Sequence, residues 1–186
     1  MAEELKVDKI IEKMELKVMT PDIDTAEKIV TVPDINRPAL QLAGFFDHFD
    51  SERVQVIGRV EAAYMATLSH ETRIERYEQL LSCNVPCIVY CRGQEADEEM
   101  IELARKYRIP LLQTGKQTSS FEAEIIRWMK VMLAPCISIH GVLVDVYGEG
   151  VLITGESGIG KSEAALELVR RGRRQRPQIF IREEIL

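Results

Sequence analysis

The chain has no run approaching the ~20 apolar residues that a membrane-spanning helix needs. Its first residues, Met1-Ala2-Glu3-Glu4-Leu5-Lys6, are acidic where a secretory signal is basic and then apolar. Both absences argue against a membrane partner and for a cytoplasmic protein. Positive charge is not in excess either. Lys plus Arg is 24 and Asp plus Glu is 30, so 24 − 30 gives a net charge of −6. Non-specific nucleic-acid binding feeds on clustered positive charge, so no nucleic-acid partner is expected. Cysteines number four (Cys83, Cys87, Cys91 and Cys136), in or near apolar runs. Pro86 and the β-rich Ile88-Val89-Tyr90 place three of them on or beside a strand. They are read as reduced core thiols, against the alternative of a metal or redox site. Internal repeats and low-complexity tracts are absent.

What is there is the composition of an ordinary globular protein, 46% hydrophobic and 29% charged over 186 residues. Periodicity predicts helices over Val7–Met14, Ser69–Leu81, Asp97–Tyr107 and Thr118–Leu133, the last with Ser119 and Ser120 as possible caps. Strands are expected at Leu16–Met19, Val54–Gly58, Cys87–Tyr90 and Ile109–Leu112. Strands alternating with helices at this rhythm predict an α/β domain with a mostly parallel, Rossmann-like sheet. Pro135 cannot continue the long helix, which puts a domain boundary near residue 134. That gives an N-terminal α/β domain over 1–134 and a second unit over 135–186. In the second unit, Ile137–Val146 reads as a strand pair turning at His140-Gly141, and Val151–Thr154 as a buried strand.

That strand feeds Gly155-Glu156-Ser157-Gly158-Ile159-Gly160-Lys161-Ser162, a full match to G-x-x-x-x-G-K-[ST]. The glycines permit backbone angles that turn successive N–H groups inward as an anion nest. The helix beginning near Gly160 adds the positive end of its dipole. Lys161 is expected to reach the β- and γ-phosphates of a nucleotide, and the Ser162 hydroxyl to ligate Mg²⁺. A phosphate loop does not name the reaction, which also needs a carboxylate beyond the helix and an acceptor or base. Downstream, Glu183 and Glu184 are the only carboxylates, and nothing in the sequence sets them against the loop. Asp145, in an alternating strand, is left outside the site as solvated or turn-facing.

Several segments together resemble the HPr kinase/phosphorylase family. They are Asn36-Arg37-Pro38-Ala39-Leu40-Gln41-Leu42-Ala43-Gly44-Phe45-Phe46-Asp47, Arg53–Glu61, Leu133-Ala134-Pro135, Ile139–Gly148 and Gly150–Gly172. Ala39 stands where that family usually has glycine. The resemblance implies a bacterial enzyme with two activities. One is ATP- or pyrophosphate-dependent phosphorylation of a serine on the phosphocarrier HPr, and the other is its phosphate-dependent removal. It also implies a P-loop kinase domain, a homohexamer for the intact family member, and roles in carbon catabolite repression and sugar uptake. Carried over by position, the family's active-site histidine falls on His140, its P-loop lysine on Lys161 and its magnesium-bound hydroxyl on Ser162. By itself, a turn histidine reads as structural or solvated.

After Gly172 the likeness stops. Five arginines lie among residues 170–176, and Pro177 follows where a central strand would run. The family's paired aspartates, its other magnesium carboxylate and its HPr-facing loop are expected downstream and not found. The reading at this point is a frame-shifted or prematurely ended product, with the kinase domain incomplete and its P-loop helix loosely held. Two alternatives stay open: a catalytically inactive fragment serving in assembly or ligand sensing, and an unrelated P-loop ATPase.

Overall fold

The computed structural model describes residues 4–134 and 141–171. The chain divides into two compact units, Met1–Ala134 and Pro135–Leu186.

The first unit is built on five strands: β2 (Lys17–Val18), β4 (Ile35–Asn36), β5 (Val54–Ile57), β6 (Ile88–Tyr90) and β7 (Leu111–Gln113). Their order is β2-β7-β6-β5-β4. The last four run parallel, and β2 joins β7 antiparallel as an edge. Parallel neighbours cannot be joined by a tight turn, so helices carry the chain across. These are α2 (Ala39–Leu42), then α3 (Arg59–Ala66) and α4 (His70–Ser82), then α5 (Glu98–Tyr107). Two further helices, α1 (Val7–Met14) and α6 (Thr118–Met132), complete the unit, and β1 (Leu5–Lys6) pairs with β3 (Ile29–Val30) in a separate small sheet. The expected α/β domain with a mostly parallel sheet is what the chain forms.

The sheet is apolar on both faces, as helical cover on both sides demands. Val54, Val56, Cys87, Val89, Cys91 and Leu112 face one core, met by Val7, Ile10 and Met14 of α1 and by Phe121, Ile125 and Met129 of α6. Ile57, Ile88, Tyr90 and Leu111 turn to the other, met by Tyr77, Leu80 and Leu81 of α4 and by Met100 and Ala104 of α5. The helical contributions fall at spacings of three and four, one stripe per helix. Each fully buried side chain of this size contributes about 1.5–3 kcal/mol.

Local chemistry sets the helix ends. Ser69 accepts the Thr72 amide at 3.3 Å and Asp97 accepts the Met100 amide at 2.9 Å, the N-cap arrangement that satisfies otherwise orphaned donors. α6 opens differently. Gln117 holds its cap position without a side-chain hydrogen bond, and Ser119 and Ser120 lie inside the first turn. Among the described residues, no helix is long and apolar enough to cross a membrane.

In the second unit, β8 (Gly141–Val146) and β9 (Glu149–Thr154) form an antiparallel hairpin, followed by α7 (Lys161–Arg171). The turn of this hairpin lies at Tyr147-Gly148, both at positive φ; the turn expected at His140-Gly141 involves His140, which lies outside the described residues. A two-residue loop of this kind needs φ > 0, which Gly148 supplies without strain. The Gly148 amide also donates to Asp145 Oδ1 at 2.8 Å, so Asp145 serves the turn. The expectation of a buried strand before the loop is corrected. Within this unit Val151, Leu152 and Thr154 of β9 are exposed, because among the described residues the cover comes from β8 and α7 alone. Likewise α7 buries Ala165 and leaves Leu166 and Leu168 exposed.

Candidate functional site

Gly155–Gly160 connect β9 to α7, whose first residues are Lys161 and Ser162, the strand–loop–helix context that the motif requires. Gly158 and Gly160 have φ of 84° and 92°, angles that L-residues other than glycine rarely adopt. α7 begins directly after Gly160, whose carbonyl accepts the Ala164 amide at 3.0 Å. Lys161 folds back over the loop, its Nζ donating to the carbonyl oxygens of Gly155 at 2.8 Å and Glu156 at 2.7 Å. Ser157, Ile159 and Ser162 are exposed. The Ser162 hydroxyl has no hydrogen-bond partner among the described residues. Register sets Gly141 opposite Thr154, the residue before the loop. His140, the residue before Gly141, lies outside the described residues. Among those residues, no group of three or more His, Cys, Asp or Glu side chains is placed to hold a metal ion.

Sequence reasoning passed over Glu163. Its Oε2 stands 2.9 Å from the point where a Cβ on Gly160 would lie. The signal was available, since Gly160-Lys161-Ser162-Glu163 has the N-cap-to-N3 spacing of a capping box.

The first unit gathers a second polar cluster at the carboxyl ends of its parallel strands, the edge where open α/β sheets bind ligands as a rule. Arg37 follows β4, and its Nη2 lies 2.8 Å from both oxygens of Glu61 in α3. The Gly58 amide, just after β5, donates to Glu61 at 2.9 Å. Arg37 Nε also points toward Glu122 of α6 at 3.8 Å, too long for a hydrogen bond. The hydrogen bond and charge of Glu61 raise the Arg37 pKa, while burial raises that of Glu122. Cys91, at the end of β6, is pushed up to about 11 by burial, against a hydrogen bond with Thr118. Arg37 and Glu61 both fall in segments that carried the family resemblance, but one sequence does not reveal that they meet.

At the opposite end of the sheet an open cavity of about 720 Å³ is lined by Lys28, Asn84, Arg105, Arg108, Asp22 and Glu52 among others. Burial, and then the neighbouring Arg108, lower the Lys28 pKa. α4 and α5 end here, so their carbonyl ends favour the cations, and the acidic side chains of the wall leave no excess positive charge.

Sheet, hairpin and loop define an α/β chain that ends its described part in a strand, glycine-rich loop and helix with a lysine laid across the loop. The chain belongs to the HPr serine kinase family. Residues 5–129 match the family model described as HPr Serine kinase N terminus, and residues 131–175 match the one described as HPr Serine kinase C-terminal domain. The HPr kinase/phosphorylase of Lachnoclostridium phytofermentans is 58% identical over 170 residues, which are 91% of this chain and 55% of that protein. That of Caldicellulosiruptor bescii is 46% identical over 89% of this chain and 53% of its own length. That of Alkaliphilus metalliredigens is 44% identical over 90% and 54%. The chain spans about half the length of the curated relatives it matches. A solved structure of the CBS and DRTGG domains from the regulatory region of Clostridium perfringens pyrophosphatase overlaps 65% of this chain and 46% of its own, at 17% identity and a TM-score of 0.48.

Proposed function

We propose that this chain is the N-terminal domain (1–134) and the phosphate-holding opening of the kinase domain (135–186) of a bifunctional HPr kinase/phosphorylase. The whole protein would phosphorylate a serine of HPr with ATP or pyrophosphate, and remove that phosphate using inorganic phosphate. It would act in the cytoplasm as a homohexamer, in carbon catabolite repression and control of sugar uptake. The observation that carries the reading is the Gly155–Ser162 loop, set between β9 and α7 with Lys161 lying across it.

In this reading the loop amides and the start of α7 hold the β- and γ-phosphates. Lys161 exchanges its two loop carbonyls for phosphate oxygens and so follows charge as it develops on the transferred group. Ser162 fits a Mg²⁺ role because its hydroxyl is exposed and uncommitted. Mg²⁺ keeps most of its shell as water and phosphate oxygens, so one protein oxygen suffices there. When bound, the cation neutralises charge on the phosphates. His140 is assigned to the active site on the strength of the family resemblance.

Calorimetry with MgATP and with pyrophosphate, on the chain and on Lys161→Ala, tests the reading. Binding that the substitution weakens by roughly ten-fold or more supports it, as expected for a lost charge-assisted contact. No binding of either ligand to the unsubstituted chain overturns it. Phosphate transfer from labelled ATP to purified HPr then separates an active enzyme from a unit that holds nucleotide without transferring it.

A further inference from the structure

Two turns in this protein share one local design. Gly58-Arg59-Val60-Glu61 opens α3, and Gly160-Lys161-Ser162-Glu163 opens α7. Each reads glycine, a cation, a spacer and a glutamate, Gly58 directly after β5 and Gly160 at the end of the loop that follows β9. In the first turn the glutamate is fully committed. Glu61 accepts the Gly58 amide at 2.9 Å, is tied to Arg37 at 2.8 Å and is buried. In the second, the Glu163 carboxylate stands in a similar place beside its glycine, 2.9 Å from the point where a Cβ on Gly160 would lie, against 3.2 Å for Glu61 at Gly58. Yet it accepts no hydrogen bond and has no cationic partner among the described residues. Lys161, the nearest cation in sequence, spends its ammonium on Gly155 and Glu156.

An unpaired carboxylate therefore stands over the first turn of an eleven-residue helix, the end whose amides and dipole favour an anion. We infer that Glu163 is a resident competitor for the phosphate seat and sets how tightly the loop takes a phosphate chain. The inference rests on the phosphate-loop reading above. A polyphosphate entering the loop meets the carboxylate and drives it outward, which the long, exposed glutamate side chain permits. The repulsion grows with the charge of the ligand and falls with salt. A pure helix cap would behave otherwise, because glutamine at the same position caps as glutamate does.

The test is the affinity of the chain for pyrophosphate without metal, in EDTA, for wild type, Glu163→Gln, Glu163→Asp and Lys161→Ala. Removing the charge with Glu163→Gln is expected to tighten binding roughly two- to five-fold, the scale of one charge at a helix end. The gain should shrink in about 0.5 M salt, where exposed charges are screened within a few ångströms. Glu163→Asp keeps the charge but draws it back, so a smaller gain is expected. That variant also carries the test if the glutamine variant fails to fold. Unchanged or weaker binding by the substituted chains, at unchanged helical content, overturns the inference and leaves the phosphate loop standing. No binding by any variant overturns the phosphate-loop reading and this inference together, whereas binding lost only in Lys161→Ala shows that the loop is the seat being measured.

Discussion

Arg37 holds both oxygens of Glu61 through one nitrogen at 2.8 Å, and Glu61 in turn closes the Gly58 amide. This links β4, at the sheet edge, to the start of α3 and makes the edge strand part of the first unit's framework. The Glu61 side chain is 2% exposed and that of Arg37 41%, so one partner is sealed while the other reaches water. Arg37→Ala strands the glutamate charge and is expected to cost roughly 1–3 kcal/mol in urea unfolding. That is less than the ~3–5 kcal/mol of a wholly buried pair. Arg37→Lys should recover only part, since a single ammonium cannot face Glu61 and Glu122 from two separate nitrogens as the guanidinium does. A loss below about 0.5 kcal/mol in the alanine variant, the range of ordinary surface changes, would contradict this.

Acid should loosen the contact between α4 and α5. Glu99 is held from its ordinary 4.5 down to about 2, first by a hydrogen bond from its own backbone amide, then by the Arg73 guanidinium and His70. A depressed carboxylate stabilises the fold above its unfolded value and loses that effect as pH falls through the folded one. The contribution is therefore complete above 4.5 and disappears toward about 2. Urea midpoints of wild type and Glu99→Gln should differ near neutrality and converge over that window. Parallel curves down to acid would exclude the assignment.

The strand thiols should be inert in the folded chain. Burial pushes Cys87 up to about 12 and Cys91 up to about 11, and only the thiolate is a good nucleophile. Iodoacetamide at about pH 8 is expected to leave both unlabelled until urea is added, as peptide mass spectrometry can read. Labelling of either in the native chain would argue against a core role.

Amide exchange should divide α7 from α6. α6 buries Thr118, Phe121, Ile125 and Met129, whereas α7 buries Ala165 alone among its described residues. Few buried apolar contacts mean low local opening energy. Exchange across Ala164–Arg171 is expected to be at least about ten-fold faster than in the α6 interior. Equal protection would show that α7 is held by more than the burial of one alanine.

Local information was enough for a good part of this molecule. The apolar spacing of Val7, Ile10 and Met14 marks α1 with the bounds that the fold shows, because helical packing depends on residues three and four apart. The run through Ile88–Tyr90 announces a strand covered on both faces, and Gly155–Ser162 announces its loop, since both patterns are written in consecutive residues. Tertiary structure alone decided the rest. β1, β3 and β4 are two residues each, too short for any periodicity, and exist because distant strands offer them partners. The antiparallel edge of β2 on β7 joins segments about ninety-five residues apart. Arg37, Glu61 and Glu122 come from three elements and converge only once the sheet has set its strand order. Glu163 is the case between. Its spacing from Gly160 is local, but whether its carboxylate is paired like that of Glu61 or left bare depends on whether the fold brings a cation to it.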